Sequence, residues 1–176
     1  MVTTEMLKQD NRFHIDDFNL DRLVSSNEII RYEVSEIEVG KILMSTAGKI
    51  TSLQDTVVYK YLDDHAGFTQ DYQDYCSKYG ARNKQRTLEN YDLLIRDFSD
   101  DVYDLQKGAI VINQFNLVVD GQHRSCILLK RYGPKYKIKV VKIWIRGGGI
   151  CRLADEVVFQ EIRNQFIRER LLAAPV

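Results

Sequence analysis

Neither charge dominates this sequence, because 25 lysines and arginines balance 25 aspartates and glutamates and leave a formal net charge of zero at pH 7. A protein that works on DNA or on an anionic membrane usually carries a basic excess. We therefore expect neither nucleic acid nor a membrane as a partner. Basic residues are concentrated in two places, the row Lys137, Lys139 and Lys142 and the segment 82–86, which either clamps an anionic substrate or is a solvated loop.

The sequence also lacks long apolar runs and paired cysteines. No uninterrupted apolar stretch is long enough to cross a bilayer, and the charges within residues 5–12 leave no room for the apolar part of a signal peptide. The three cysteines include no Cys-x-x-Cys pair, which argues against a disulfide framework and a structural zinc site; they are Cys76, Cys126 and Cys151. We expect a cytoplasmic protein with reduced thiols.

The 176 residues, 44% of them hydrophobic and 28% charged, have the composition of one ordinary globular domain. We expect an N-terminal arm over residues 1–28, laid on the body through scattered apolar side chains, then a central domain over 29–146. A C-terminal segment over 150–176 follows a flexible glycine joint at 147–149. Its amphipathic pattern over 155–172 predicts a helix that packs on the body or on a second copy in a homodimer.

Apolar periodicity and turn residues predict a domain that contains both strands and helices. The predicted elements are a strand from Ile29, a loop over 44–51, a helix with Ser52 as its N-cap, a helix that stops at Gly80, a helix from residues 87–90, a hairpin over 109–119, a helix that stops at Gly133 and a strand over 137–145. Tyr72, Tyr75 and Tyr79 share a helical face, which could stack on a nucleobase; we favour the edge of the core.

The most informative segment is 120–125, Asp-Gly-Gln-His-Arg-Ser, where an apolar strand runs directly into a helix. Gly121 allows a ligand to approach the backbone, and the first N–H groups of a helix, with the positive end of its dipole, favour phosphate. The candidate nucleotide-binding residues are Gly121, Gln122, His123, Arg124 and Ser125.

Three side chains in this segment suit phosphate chemistry. Arg124 supplies a forked, permanently charged donor, and His123 donates or accepts near neutral pH. Asp120 either caps the helix or holds a metal ion beside the phosphates. Taken singly, each residue is explained by a common turn or a solvated first helical turn. Their combination between a strand and a helix favours a binding site.

This segment and the order of elements around it resemble the ParB/sulfiredoxin-like superfamily over residues 29–145. There, partition proteins carry Gly-Glu-Arg-Arg, sulfiredoxins Gly-Cys-His-Arg and free-serine kinases Asp-Gly-His-His-Arg, at a turn that binds nucleotide phosphates. The resemblance implies an α+β fold with a small mixed sheet and flanking helices. It also implies that Gly121, His123 and Arg124 bind phosphate, and that Asp120 lies near the metal and the transferred group. Proteins with a DGQHR domain and small ParB-like proteins of polysaccharide biosynthesis are similar at this turn.

Departures from each branch narrow the function. Gln122 stands where a sulfiredoxin needs its nucleophilic cysteine, and too few residues follow Ile145 for the helix-turn-helix segment of a partition protein. The serine kinases use a glutamate after the first strand, but residues 39–45 contain no acid. Asp55 is our candidate for the base or a second metal ligand, with Glu36 as the second choice.

These observations leave three hypotheses open. The first is a kinase that binds ATP or another NTP with Mg²⁺ and phosphorylates a small hydroxylated acceptor, or an NTP hydrolase, with Asp120, Asp55 and His123 as catalytic candidates and Asp120 as the metal ligand. The second is a nucleotide-binding switch without turnover. The third, a DNA-associated ParB-like nuclease or ATPase, is opposed by the balanced charge.

Overall fold

The computed structural model describes residues 2–15, 27–46, 49–80, 88–100 and 103–148. The elements in chain order are α1 (Thr4–Lys8), β1 (Asn27–Glu38), β2 (Leu43–Thr46), β3 (Lys49–Ser52), α2 (Val57–Asp63), α3 (His65–Gly80), α4 (Leu88–Asp100), β4 (Val111–Asn113), β5 (Val118–Asp120), α5 (Gln122–Tyr132) and β6 (Lys137–Gly148). The predicted helix over 155–172 and the basic segment 82–86 lie outside the described residues.

A four-stranded mixed sheet with the order β1-β6-β4-β5 organises this structure. β1 pairs antiparallel with β6, β6 pairs parallel with β4, and β4 and β5 form an antiparallel hairpin. Helices flank the sheet, so the prediction of an α+β fold with a small mixed sheet is confirmed. Asp120 ends β5, the strand at one edge, and α5 begins two residues later.

Both faces of the sheet are covered, as the alternation along β6 shows. Ile138 and Val140 point towards the helices and join a core formed with α2, α3, α4 and α5. Val141 and Ile143 point to the other face, into a second cluster that includes the N-terminal residues. β6 therefore supplies apolar side chains to both layers, with Lys137, Lys139 and Lys142 between them.

The N-terminal arm is laid on that second face over its described residues 2–15. Leu7 and Phe13 are buried there. The arm is also joined to the body by backbone hydrogen bonds: Val2 N donates to Ile29 O (3.0 Å) and His14 N to Leu105 O (2.8 Å), and Ala109 N donates to His14 O (2.7 Å).

The structure corrects three local predictions. Leu43–Thr46 and Lys49–Ser52 pair as the antiparallel strands β2 and β3, where a loop was predicted over 44–51. Leu43 also forms a bridge with Leu117, the residue before β5, which attaches this pair to the sheet. Gly147 and Gly148 continue β6 instead of forming a joint, since β1 pairs with β6 as far as Gly148.

The third correction concerns the start of α2. The hydroxyl of Ser52 donates to Asp55 Oδ2 (2.8 Å) across a single 3-10 turn and does not cap a helix. Thr56 is the N-cap, and its Oγ1 accepts from Tyr59 N (3.2 Å). Threonine and serine are both good N-caps. The 3-10 turn Leu53–Asp55 separates Ser52 from α2, so Thr56 is the residue that directly precedes the helix.

No helix within the described ranges has both the length and the apolar character that crossing a membrane requires.

We predict that the arm contributes to the stability of the whole domain. Leu7 is 2% exposed, whereas its neighbour Met6 is 49% exposed. Leu7→Ala should lower the free energy of unfolding by about 2–4 kcal/mol, and Met6→Ala should change it by less than about 0.5 kcal/mol. Urea titrations of both variants measure this difference. Equal stability of the two variants would show that the arm does not pack on the sheet.

Candidate functional site

Gly121 connects β5 to α5 with a left-handed backbone, φ 86° and ψ 23°. A Cβ at this position would lie 2.9 Å from Cα and Cγ1 of Ile110, so both the conformation and the space demand glycine. We expected Gly121 to let a ligand approach the backbone closely. In the structure, Ile110 occupies the position beside Gly121. Gly121 occupies the N-cap position of α5, and no side chain caps the helix from there.

Arg124 lies half-buried beside this helix start, against the backbone of residues 108 and 109. Its Nη1 donates to Ala109 O (2.9 Å). Gly108, with φ 149°, leaves room for the guanidinium, because a Cβ there would lie 2.9 Å from Arg124 Cζ. No carboxylate pairs with Arg124 among the described residues. The guanidinium is thus held in place by a carbonyl, and none of the described carboxylates forms an ion pair with it.

Tyr103, which no sequence pattern identified, lies in the same neighbourhood. Its hydroxyl accepts a hydrogen bond from Ile110 N (2.8 Å). Burial raises the pKa of Tyr103 to about 12, and the negative charge of Asp120 raises it further. The hydrogen bond from Ile110 N–H and the positive charge of Arg124 lower this pKa. Arg124 and Asp120 therefore both lie close enough to influence one protonated phenol.

The side chains of Gln122 and His123 turn towards α3. Tyr75 Oη donates to Gln122 Oε1 (2.9 Å), and Gln122 is only 8% exposed. The hydroxyl of Tyr72 lies 2.8 Å from His123 Nε2, and the imidazole packs edge-on against Tyr91, with ring centroids 4.6 Å apart. If Gln122 contacts a ligand at the helix start, it therefore does so through the backbone N–H of Gln122.

Ser125 is fully buried, and its Oγ donates to Gly121 O (2.9 Å). This bond returns the hydroxyl to the backbone of the preceding helical turn. The Ser125 side chain therefore points into the protein and stabilises the turn at Gly121. The sequence pattern did not indicate this orientation.

The two acids considered as a base lie in different parts of the molecule. Asp55 is exposed on the 3-10 turn before α2, which packs on α5 through Thr56 and Cys126. Glu36 pairs with Lys137 on β1, the opposite edge of the sheet from Asp120. Three strand spacings separate β1 from β5, about 14 Å. The structure therefore does not bring Glu36 to the segment 120–125.

No group of three or more histidine, cysteine, aspartate or glutamate side chains that could hold a metal occurs in the described ranges. Mg²⁺ commonly binds through one or two carboxylates, the phosphates of its substrate and water. Asp120 is half-buried at the end of β5 and is the acid nearest in sequence to the helix start. A magnesium ion held there would depend on a bound nucleotide for most of its ligands.

Cys126 has no access to a substrate. It is fully buried in α5, and burial raises its pKa to about 12, with an opposing contribution from the hydroxyl of Thr56. Because the thiolate is the reactive form of cysteine, this thiol is inert at neutral pH. Cys126 therefore does not provide an accessible nucleophile beside the segment 120–125.

We predict that the close approach at Gly121 can be measured against a second glycine of the same helix. Gly133 at the other end also has positive φ, 81°, but a Cβ placed there would point into open space, with no neighbouring atom within 4 Å. Gly121→Ala should lose about 1–2 kcal/mol to left-handed strain and about 1–3 kcal/mol more through the contact with Ile110. Gly133→Ala, at φ 81° and ψ 171°, should lose only the strain of its own glycine-favouring conformation, about 1–3 kcal/mol. Chemical denaturation of both variants tests this; a loss in Gly121→Ala below that in Gly133→Ala would contradict the close contact.

Comparison of the chain with models of known protein families, with curated proteins and with solved structures found no match.

Proposed function

We propose that this chain binds a nucleotide through its phosphates at the segment 120–125, and that with Mg²⁺ it transfers a phosphoryl group from ATP or another NTP to a small hydroxylated acceptor. The ParB/sulfiredoxin-like resemblance implies this function. The observation that carries the binding proposal is the half-buried guanidinium of Arg124, without a carboxylate partner among the described residues, beside a helix start that Gly121 leaves without a side-chain cap.

Arg124 carries a partly buried positive charge. Partial burial removes water from a cation, and the loss is recovered when an anion binds. The fork of an arginine and the N–H groups of a helix's first turn match the geometry of phosphate oxygens. Nη1 of Arg124 donates to Ala109 O, and no hydrogen bond of Nε or Nη2 occurs among the described residues, so we assign these donors to the ligand. A phosphate group is therefore the ligand that best fits this position.

Asp120 makes the binding of phosphate dependent on a cation. Its carboxylate lies at the end of β5, directly before the turn. A carboxylate and a phosphate repel each other at short range, and a magnesium ion that contacts both removes the repulsion. Asp120 is accordingly our proposed metal ligand, with nucleotide oxygens and water completing the coordination.

The second candidate function is a nucleotide-binding switch without turnover. Phosphoryl transfer needs a group that orients the acceptor as well as charge stabilisation. Glu36 is on the far edge of the sheet, and the hydrogen bond of Asp55 is made to Ser52. The placement of Glu36 favours the switch, whereas Asp55, His123 and Asp120 remain the catalytic candidates.

We predict that MgATP or another MgNTP raises the melting temperature of the protein, because it binds only the folded state. Arg124→Ala should abolish this rise. It should also destabilise the free protein by about 1–3 kcal/mol, since the buried Ala109 carbonyl loses its partner. Lys130→Ala removes the same charge from an exposed position of α5 and serves as the control. An unchanged ligand-induced rise in Arg124→Ala would contradict the site.

We further predict that Asp120→Asn separates binding from turnover. The amide keeps the size of the side chain but is a poor ligand for a hard cation. Nucleotide affinity should stay within about tenfold of the parent, equivalent to about 1.4 kcal/mol, while its Mg²⁺ dependence and any turnover disappear. Asp55→Asn, assayed in parallel, tests the second acid.

Consumption of NTP, measured with and without an acceptor, distinguishes the candidate functions. Loss of NTP only when a hydroxylated acceptor is present identifies a kinase, and loss without an acceptor identifies a hydrolase. Binding without any loss of NTP identifies the switch. Full Mg²⁺ dependence in Asp120→Asn would show that Asp120 does not hold the metal.

A further inference from the structure

Two tyrosines of α3 contact consecutive side chains at the start of α5. Tyr72 lies against His123, and Tyr75 donates to Gln122. Residues three apart share one face of a helix, so a single face of α3 reaches both side chains. The candidate phosphate site is thereby attached to a helix that the turn motif itself does not include.

Tyr72 is rigidly placed. Its side chain is fully buried. The ring stacks on that of Tyr61, with centroids 4.7 Å apart and an interplanar angle of 16°. The ring centroid of Tyr91 lies 5.3 Å from that of Tyr72. Burial raises the pKa of Tyr72 far above its usual value, and the neighbouring Cys76 contributes to this. The phenol therefore keeps its proton at any working pH and remains able to donate.

We propose that Tyr72 and Tyr75 are positioning residues of the candidate phosphate site, and that Tyr72 sets the tautomer of His123. The hydroxyl of Tyr72 also has a hydrogen-bond interaction with Cys76. We assign its single proton to His123 Nε2, 2.8 Å away, so that the imidazole proton is held on Nδ1. The part of this inference that concerns ligand binding rests on the proposed function. The tautomer is a property of the protein alone.

The donor and acceptor inventory supports this assignment. A neutral imidazole carries one N–H, and the partner of one ring nitrogen determines where that proton resides. Phosphate oxygens accept hydrogen bonds, so a histidine that helps to bind phosphate has to present an N–H. Because Tyr72 occupies Nε2 at 2.8 Å, any contact between the imidazole and a phosphate comes from Nδ1. A donating Tyr72 makes Nδ1 the protonated nitrogen.

Tyr75 has a complementary effect on Gln122. By donating to Gln122 Oε1, it holds an acceptor oxygen inside the protein, where the side chain is 8% exposed. An amide oxygen at the helix start would compete with phosphate for the free N–H donors. The two tyrosines therefore prepare the site in different ways, one by directing a proton and one by removing an acceptor.

The tautomer can be measured by NMR of the imidazole nitrogens in protein labelled with ¹⁵N-histidine. We expect His123 in the parent protein to carry its proton on Nδ1, and Tyr72→Phe to shift the population towards Nε2–H. Tyr61→Phe is the matched control, because Tyr61 stacks on Tyr72 but donates to Asp92 Oδ1 (3.0 Å). A parent protein with the proton on Nε2 overturns the inference, and this result requires no mutation.

Binding is then measured with MgATP by calorimetry on the same three proteins and on Tyr75→Phe. Tyr72→Phe and Tyr75→Phe should each weaken binding by about tenfold, and Tyr61→Phe should remain within about twofold of the parent. Full affinity in Tyr72→Phe overturns its positioning role while leaving nucleotide binding intact. Absence of binding by the parent protein overturns the proposed function instead, and the tautomer still decides the role of Tyr72.

Discussion

The close contact between the start of α5 and the backbone of residues 108–110 is the constraint on which the rest of the structure depends. Gly121 approaches Ile110 so closely that no Cβ fits, and Arg124 lies on Gly108 and bonds to Ala109 O. A glycine lies in each of these contacts: Gly121 in the contact with Ile110, and Gly108 in the contact with Arg124. A helix start held this tightly by backbone atoms has a defined position before any ligand arrives, which reduces the ordering that binding requires.

The same backbone segment joins the candidate site to the N-terminal arm. Ala109 accepts from Arg124 through its carbonyl and donates to His14 O through its N–H (2.7 Å). Since Ala109 is fully buried, neither group can turn to water without a cost. The arm, whose sequence suggested only an attachment to the body, therefore contributes to the position of the arginine in the proposed site.

The residues of the turn divide into two groups according to the direction of their side chains. Arg124 faces the segment 108–110, whereas Gln122 and His123 face the tyrosines of α3. Three elements distant in sequence thus meet at one helix start. Such convergence is what a binding site needs, because each side chain is held by a contact outside its own element.

The sequence by itself determined the elements whose signals are local. The hairpin β4/β5, the helix α5 with its stop at Gly133, and the place of Gly121 between strand and helix follow from turn residues and apolar periodicity over a few positions. Only the tertiary structure decided the hairpin β2/β3, the continuation of β6 to Gly148, and the inward direction of Gln122 and Ser125. The physical reason is that these features depend on partners far along the chain, such as Leu117, β1 and α3, and a short window of sequence contains no information about which distant residue will supply the hydrogen bond or fill the space.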